Sequence, residues 1–207
     1  MLALFLSTFI TLFVVIDPPG CAPIFASLTN GASPVFRRAM AIRATVVAGI
    51  ILLVFALVGE EFLKMLGVSL DAFRIAGGVM LFLIALEMVF ERRSARRQDR
   101  AAEVNQDPER EDVSIFPMAI PMLAGPGSIA TVMLLTSETG SYTGQLVMLA
   151  AFLSVMLLTL VAMLTAGPMM RLLGQKFEIA ITRILGVILA ALATQFIIDG
   201  LRASFLV

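Results

Sequence analysis

The sequence predicts an all-α, polytopic membrane protein: six transmembrane helices in an inverted 3+3 repeat, with helices one and four broken. Three observations carry that prediction. Hydrophobic residues make up 59% of the chain and charged residues 14%, with a mean hydropathy of +0.99, too apolar for a water-soluble domain. Six apolar stretches approach or exceed the roughly 20 residues that span a bilayer. Two of them are interrupted by prolines and glycines at matching places.

The first span, residues 2–28, is interrupted by Asp17-Pro18-Pro19-Gly20, with Pro23 just beyond. The first basic residue is Arg37, so a cleaved signal with its basic start is not expected. Pro18-Pro19-Gly20 is a poor cleavage context for a lipid anchor at Cys21. The N-terminus is therefore expected to belong to the mature membrane domain. Spans two and three cover 39–59 and 72–90, completing a first repeat over 1–90. Residues 91–114 alternate in charge, the pattern of a solvated linker, and separate the halves. The second repeat, 115–207, holds spans at 115–136, 144–166 and 179–201. Its first span is interrupted by Pro121-Met122-Leu123-Ala124-Gly125-Pro126-Gly127.

Basic residues set the orientation. With the termini on one side, that side carries Lys64, Arg74 and Arg202, and the other twelve of the fifteen basic residues lie opposite. Both termini are expected in the periplasm or outside, and the 91–114 linker in the cytoplasm. The halves also align. Asp17-Pro18-Pro19-Gly20 falls on Ala124-Gly125-Pro126-Gly127, Leu28-Thr29 on Leu135-Thr136 and Lys64-Met65-Leu66-Gly67 on Arg171-Leu172-Leu173-Gly174. After two inserted residues, Arg74-Ile75-Ala76-Gly77 falls on Arg183-Ile184-Leu185-Gly186. Three spans per half is an odd number, so the second half inserts upside down, and inverted repeats bring their broken helices together near the midplane.

Asp17 is the most informative residue. It lies roughly 22 Å along its span, where an ionised aspartate costs about 2.5–3.5 kcal/mol and must face a cavity or a partner. It suits an ammonium group, a sodium ion or a proton; alternatively it caps the chain where the helix stops. Pro18, Pro19 and Gly20 hold the unwound stretch beside it. Gly125, Pro126, Gly127 and Ser128 end one half-helix and open another, whose free amides suit a carboxylate; a simple packing kink is the alternative. Arg74 and Arg183 start spans three and six, where they either snorkel to headgroups or close the two sides of a pathway by pairing with acids. Gln195 and Asp199 share a face of span six, and Gln195 either lines the cavity or bonds a neighbouring helix. Glu87 and Glu91 are expected to be solvated, and Gly77-Gly78 to let helices approach.

The function classes left out are as informative. Zero net charge gives no support to nucleic-acid binding. One cysteine excludes an internal disulfide, and the absence of histidine removes the usual zinc ligand. No phosphate-binding, dinucleotide or metalloprotease motif occurs, so no catalytic residues, metal or cofactor are expected and the chain reads as a non-enzyme. A coupling H+ or Na+ is the one small ion anticipated.

Four segments give the chain a family resemblance. They are Asp17-Pro18-Pro19-Gly20-Cys21-Ala22-Pro23-Ile24-Phe25, the run from Pro117 to Ala130, Arg74-Ile75-Ala76-Gly77-Gly78, and Gln195-Phe196-Ile197-Ile198-Asp199-Gly200. Over essentially its whole length the chain resembles the MarC family of bacterial integral membrane proteins, and the second segment is the most specific. The resemblance implies a transporter of small neutral amino acids, driven by an ion gradient and grouped with LysE-like exporters. It also implies that the Asp17 position takes Asn in some relatives, which makes a polar oxygen ligand sufficient there. The expected function is alternating-access transport of neutral amino acids or similar zwitterions across a bacterial inner membrane. Drug or metabolite efflux and a non-transporting membrane scaffold are the alternatives.

Overall fold

Asp17 stops the first helix with a left-handed backbone, φ 60 and ψ 63, and the prolines after it start the second. A computed structural model describes residues 1–92, 95–99, 112–137 and 139–205, with the backbone alone for 168–178. Linker residues 93–94 and 100–111 lie outside the described residues, as do the side chains of Arg171 and Lys176 used in the charge count. No strand occurs among the described residues.

The chain order is α1 (Leu2–Ile16), α2 (Pro18–Leu28), α3 (Pro34–Met65), α4 (Leu70–Val89), α5 (Ser114–Leu123), α6 (Pro126–Ser137), α7 (Tyr142–Leu164) and α8 (Ala166–Phe205). Serine hydroxyls open three of these: Ser33 accepts from the Phe36 amide, Ser69 from Ala72 and Ser141 from Gly144. Each satisfies one of the amides a helix start leaves without an internal partner. Segment α5 is an irregular, wide-turned helix. Phe116 and Ile120 have extended backbones inside it, and each precedes a proline, which disfavours the helical conformation of its neighbour. Both of these X-Pro bonds are cis.

Among the described residues, five helices are long and apolar enough to cross a membrane. A sixth crossing results when α5 and α6, bent by 55° at their junction, are taken as one span. The first broken pair runs on as one span, Leu2–Leu28, so the two breaks differ in shape. The fifth and sixth predicted spans meet no loop between them, because α8 is helical from Ala166 onward.

The outside of the bundle carries many large apolar side chains. On α3 the small residues Ala41, Ala44 and Ala48 are buried, while Val46, Ile50, Val54 and Leu57 face outward. Large side chains on the outer face and small ones within fit lipid as the solvent, where helices associate through close packing rather than through hydrophobic burial. The closest approach joins α4 and α8. Gly200 lies against Asp71 and Ile75, Gly78 against Ala193 and Ile197, and Gly186 against Ala85 and Met88. That order makes the two helices antiparallel, and a Cβ on Gly78 would stand 2.9 Å from the Ala193 carbonyl oxygen. Elsewhere α2 packs on α7 and α6 on α3, α1 on α7 and α5 on α3, and α2 on α8 and α6 on α4.

Candidate functional site

The Asp17-Pro18-Pro19-Gly20 motif works as a stop-and-start unit. Pro18 and Pro19 fill the first two positions of α2, where no donor is needed. The third position, Gly20, donates its amide to the Asp17 carboxylate at 3.1 Å. A Cβ on residue 20 would lie 2.2 Å from Asp17 Oδ2, so only glycine leaves room for that carboxylate. Capping, one of the two roles read from the sequence, is therefore present.

The cap is half of what Asp17 does. Its second carboxylate oxygen accepts from the Arg97 guanidinium at 3.0 Å, with the aspartate side chain 1% exposed and the arginine 10%. Arg97 comes from the region between the halves, where the charge pattern predicted a solvated linker; its side chain is largely covered instead, although its chain neighbours are exposed. The path is visible. Glu91 adopts a positive φ of 61, reversing the chain after α4, and the Ala95 amide donates to the Glu91 carbonyl at 3.2 Å. The helical run 95–99 then lies back across the break.

The second break forms the wall of a cavity of about 270 Å³, lined by Gly125, Pro126, Gly127 and Ser128 with Pro121 and Met122. Val15 of α1 and Ile84 of α4 supply its apolar side, and Glu87, Arg96 and Arg97 its charged side. Gly125 starts α6 by accepting from the Ile129 amide at 3.0 Å. Gly127 and Ser128 follow in the first turn, at the positive end of the helix dipole. Among the described residues no side chain caps them, since Ala124 stands where the first break has Asp17. A Cβ on Gly125 would lie 2.5 Å from the Pro121 carbonyl oxygen, which fixes glycine there for close backbone approach.

The structure thus brings the two breaks to one guanidinium. Arg97 touches the cavity beside Gly125–Ser128 and bonds Asp17 behind it. Pro18, Pro19 and Gly20 support Asp17 from the α2 side and do not line the cavity. Gln195 is placed elsewhere: it is exposed on α8 and donates to Asp199 at 2.8 Å. Arg74 lies 3.7 Å from Asp71, and Arg183 pairs with Glu91, so the two arginines meet acids at opposite ends of α4 and neither borders the cavity. Glu87, expected in solvent, is largely covered and pairs with Arg96 at 2.6 Å.

Sequence reasoning missed Arg96, Arg97 and the role of Glu87. One signal pointed to them: an aspartate inside an apolar span needs a counter-charge, and the charged run after α4 is the nearest in sequence to supply it. Outside the spans, Asp112 pairs with Arg43 and accepts from the Ser114 amide at 2.9 Å. Burial pushes the Asp112 carboxyl up, but the Ser114 hydrogen bonds and the Arg43 charge outweigh it and hold it below its ordinary value. This pair ties the chain entering α5 to α3.

Comparison with known proteins places the chain among integral membrane proteins. Residues 2–205 match the family described as "MarC family integral membrane protein". A UPF0056 membrane protein of Archaeoglobus fulgidus is 34% identical over 200 residues, covering 97% of this chain and 93% of that one. The UPF0056 inner membrane protein YhgN of Escherichia coli K12 is 36% identical over 197 residues, 95% of each chain. A UPF0056 membrane protein of Aquifex aeolicus is 33% identical over 199 residues, 96% of this chain and 92% of that one. No solved structure matches.

Proposed function

The chain belongs to the MarC family of integral membrane proteins, and on that premise we propose that it is a secondary transporter of small neutral amino acids or similar zwitterions. One observation carries this reading: a charged cavity of about 270 Å³ sits on the second break, and Arg97 joins it to the first. Irregular backbone in an apolar bundle is tolerated where it lines a cavity, and paired breaks at a repeat interface are where transporters bind substrate. The volume is just below the roughly 300–1,000 Å³ of drug-sized pockets, which favours a small solute over drug efflux. A scaffold would have no need of charged groups around such a space.

The packing supports an inverted repeat. Exchanging α1, α2, α3 and α4 for α5, α6, α7 and α8 turns α2 on α7 into α6 on α3, and likewise for the other pairs described above. In this reading one repeat rocks against the other. The substrate carboxylate rests near the amides of Gly125, Gly127 and Ser128, Asp17 serves the ammonium or a coupling H+ or Na+, and Arg74 and Arg183 pair with acids on the two sides. The protein lies in a bacterial inner membrane, the location that the name of the Escherichia coli relative carries, with both termini periplasmic.

Flux into proteoliposomes of labelled alanine, glycine and serine tests the proposal. Saturable uptake under an imposed H+ or Na+ gradient is expected, and its absence under every gradient removes the amino-acid reading. Asp17→Asn is expected to fold. Its transport loses dependence on external pH if Asp17 carries the proton, and weakens without that change if Asp17 is a ligand only.

A further inference from the structure

We propose that a second cavity, where α3 finishes and α7 begins, binds a phospholipid with an ammonium headgroup, phosphatidylethanolamine. It shares no residue with the cavity at the breaks and does not depend on the transport reading. Its volume, about 510 Å³, lies within the range of small-molecule sites. Two walls face each other across it. Leu53, Leu57, Glu60 and Glu61 recur at helical spacing along α3, and Tyr142, Gln145, Leu146 and Leu149 along α7. Thr136 and Ser137, at the end of α6, join them.

The polarity of both walls changes in the same direction. α3 ends just beyond Glu61 and α7 starts at Tyr142, so each wall is polar near its helix end and lined by leucine deeper in. From Leu53 to Glu61 is roughly 12 Å at about 1.5 Å per residue, most of one leaflet's share of a hydrocarbon core about 30 Å thick. Below, the walls close: a Cβ on Gly49 of α3 would stand 3.7 Å from Met156 Cε of α7. Tyr142 is the one tyrosine of a chain without tryptophan, and such rings concentrate at the membrane–water interface. An acyl chain matches the leucine end and a headgroup the other. A water-soluble ligand would leave the leucine end unmatched.

Charge selects the headgroup. Among the described residues lining the cavity, the charged ones are Glu60 and Glu61. Both carboxylates accept from one ammonium, Lys64, at 3.0 and 2.9 Å, which leaves this cluster of three with one negative charge. The ethanolamine headgroup offers one ammonium with three N–H donors. Choline carries the charge without donors, and glycerol carries no positive charge. The hydroxyls of Thr136, Ser137 and Thr139 are already donated to carbonyls of α6. Tyr142 and Gln145, on the other wall, carry neutral groups that can donate to the phosphate. Glu60 and Glu61 are 47% and 70% exposed, so the preference they impose is modest.

Because the chain has no tryptophan, a single one placed in the groove reports on the lipid beside it. Leu149→Trp stands on the α7 wall. Leu57→Trp, at a position 78% exposed, is a second placement that leaves the interior undisturbed, and either suffices. Val187→Trp, on the outer face of α8 and away from the groove, is the reference. Full-length protein is reconstituted into bilayers of equal parts phosphatidylethanolamine, phosphatidylglycerol and phosphatidylcholine. The acyl chains of one of the three lipids are brominated in each preparation to quench fluorescence. The groove tryptophan is expected to be quenched about twofold more by brominated phosphatidylethanolamine than by either other lipid, and Val187→Trp equally by all three. Glu60→Gln combined with Glu61→Gln removes the preference in the groove. Equal quenching by the three lipids in the groove, or none, overturns the proposal. So does stronger quenching by either other lipid, a preference that also appears at Val187→Trp, or one that survives loss of both carboxylates.

Discussion

Asp17 shows how one carboxylate serves two ends. One oxygen closes the start of α2 through the Gly20 amide, and the other neutralises Arg97. Gly20 is the residue that permits this, because a methyl group there would occupy the space of Oδ2. Gly20→Ala is therefore expected to lose the cap and misplace the ion pair, destabilising the protein by about 2 kcal/mol, the upper end for a lost N-cap. Thermal unfolding in detergent measures it, and a variant as stable as wild type would show that the carboxylate is not confined. Asp112 makes a weaker and differently conditioned contribution. Its carboxyl is held below its ordinary value by Ser114 and Arg43 against the opposing effect of burial, so the stability it adds is present above the unfolded-state value, about 3.9. That contribution disappears as pH falls through the lowered folded value. With both side chains a third or more exposed, the pair is worth on the order of 0.5 kcal/mol. Wild type should exceed Asp112→Asn by about that much at pH 6 and match it near pH 2; an undiminished gap at low pH would exclude the carboxylate as its source.

At the scale of elements, the two breaks are built from different parts for the same end. The first uses an acid, two prolines and a glycine, and the chain continues as one span; the second uses Pro126 between two glycines, with no acid, at a 55° bend. Their glycines are not equivalent in tolerance. A methyl on Gly125 meets the Pro121 carbonyl at 2.5 Å, a backbone atom that cannot turn aside, whereas on Gly127 it meets the end of the Ile84 side chain. Gly125→Ala should therefore destabilise by about 2–3 kcal/mol, in the range of overpacking, and Gly127→Ala by less than half as much. Equal losses in unfolding experiments would mean the bend is not held by that backbone approach. The positions of both breaks were legible in the sequence, since Pro and Gly interrupt an apolar run unambiguously. The shape of α5 was less so, because two X-Pro steps four residues apart specify irregularity without specifying its form. The return of residues 95–99 onto the break was not legible at all: a charge run has the composition of a solvated face, and the left-handed turn at Glu91 has no glycine to announce it.

At the scale of the molecule, an all-helical fold with five spans, or six with the bent α5–α6 pair counted as one, followed directly from hydropathy, because lipid leaves few alternatives to a helix. The partner of Asp17 did not follow, since it depends on three-dimensional return of the chain. Gln195 failed to reach the cavity for a similar reason: periodicity places it on a face of α8 but does not say which face meets the bundle. The proposed inverted repeat makes one demand that neither hydropathy nor packing pattern can satisfy alone. The turn between α2 and α3 and the turn between α6 and α7 both follow a broken helix, so inversion places them on opposite sides of the membrane. Asn30 and Gly140 mark these turns; both are exposed, and a Cβ at Gly140 meets nothing within 4 Å. Cys21 is buried and is replaced by alanine to give a thiol-free background. In intact cells, an impermeant maleimide should label Gly140→Cys and Ser204→Cys, and should reach Asn30→Cys only after the membrane is opened. The twelve basic residues on the side of Asn30, against three opposite, set that direction. Labelling of both turns from one side would mean the halves insert in parallel, and the alternating access we propose would lose the inverted symmetry it requires.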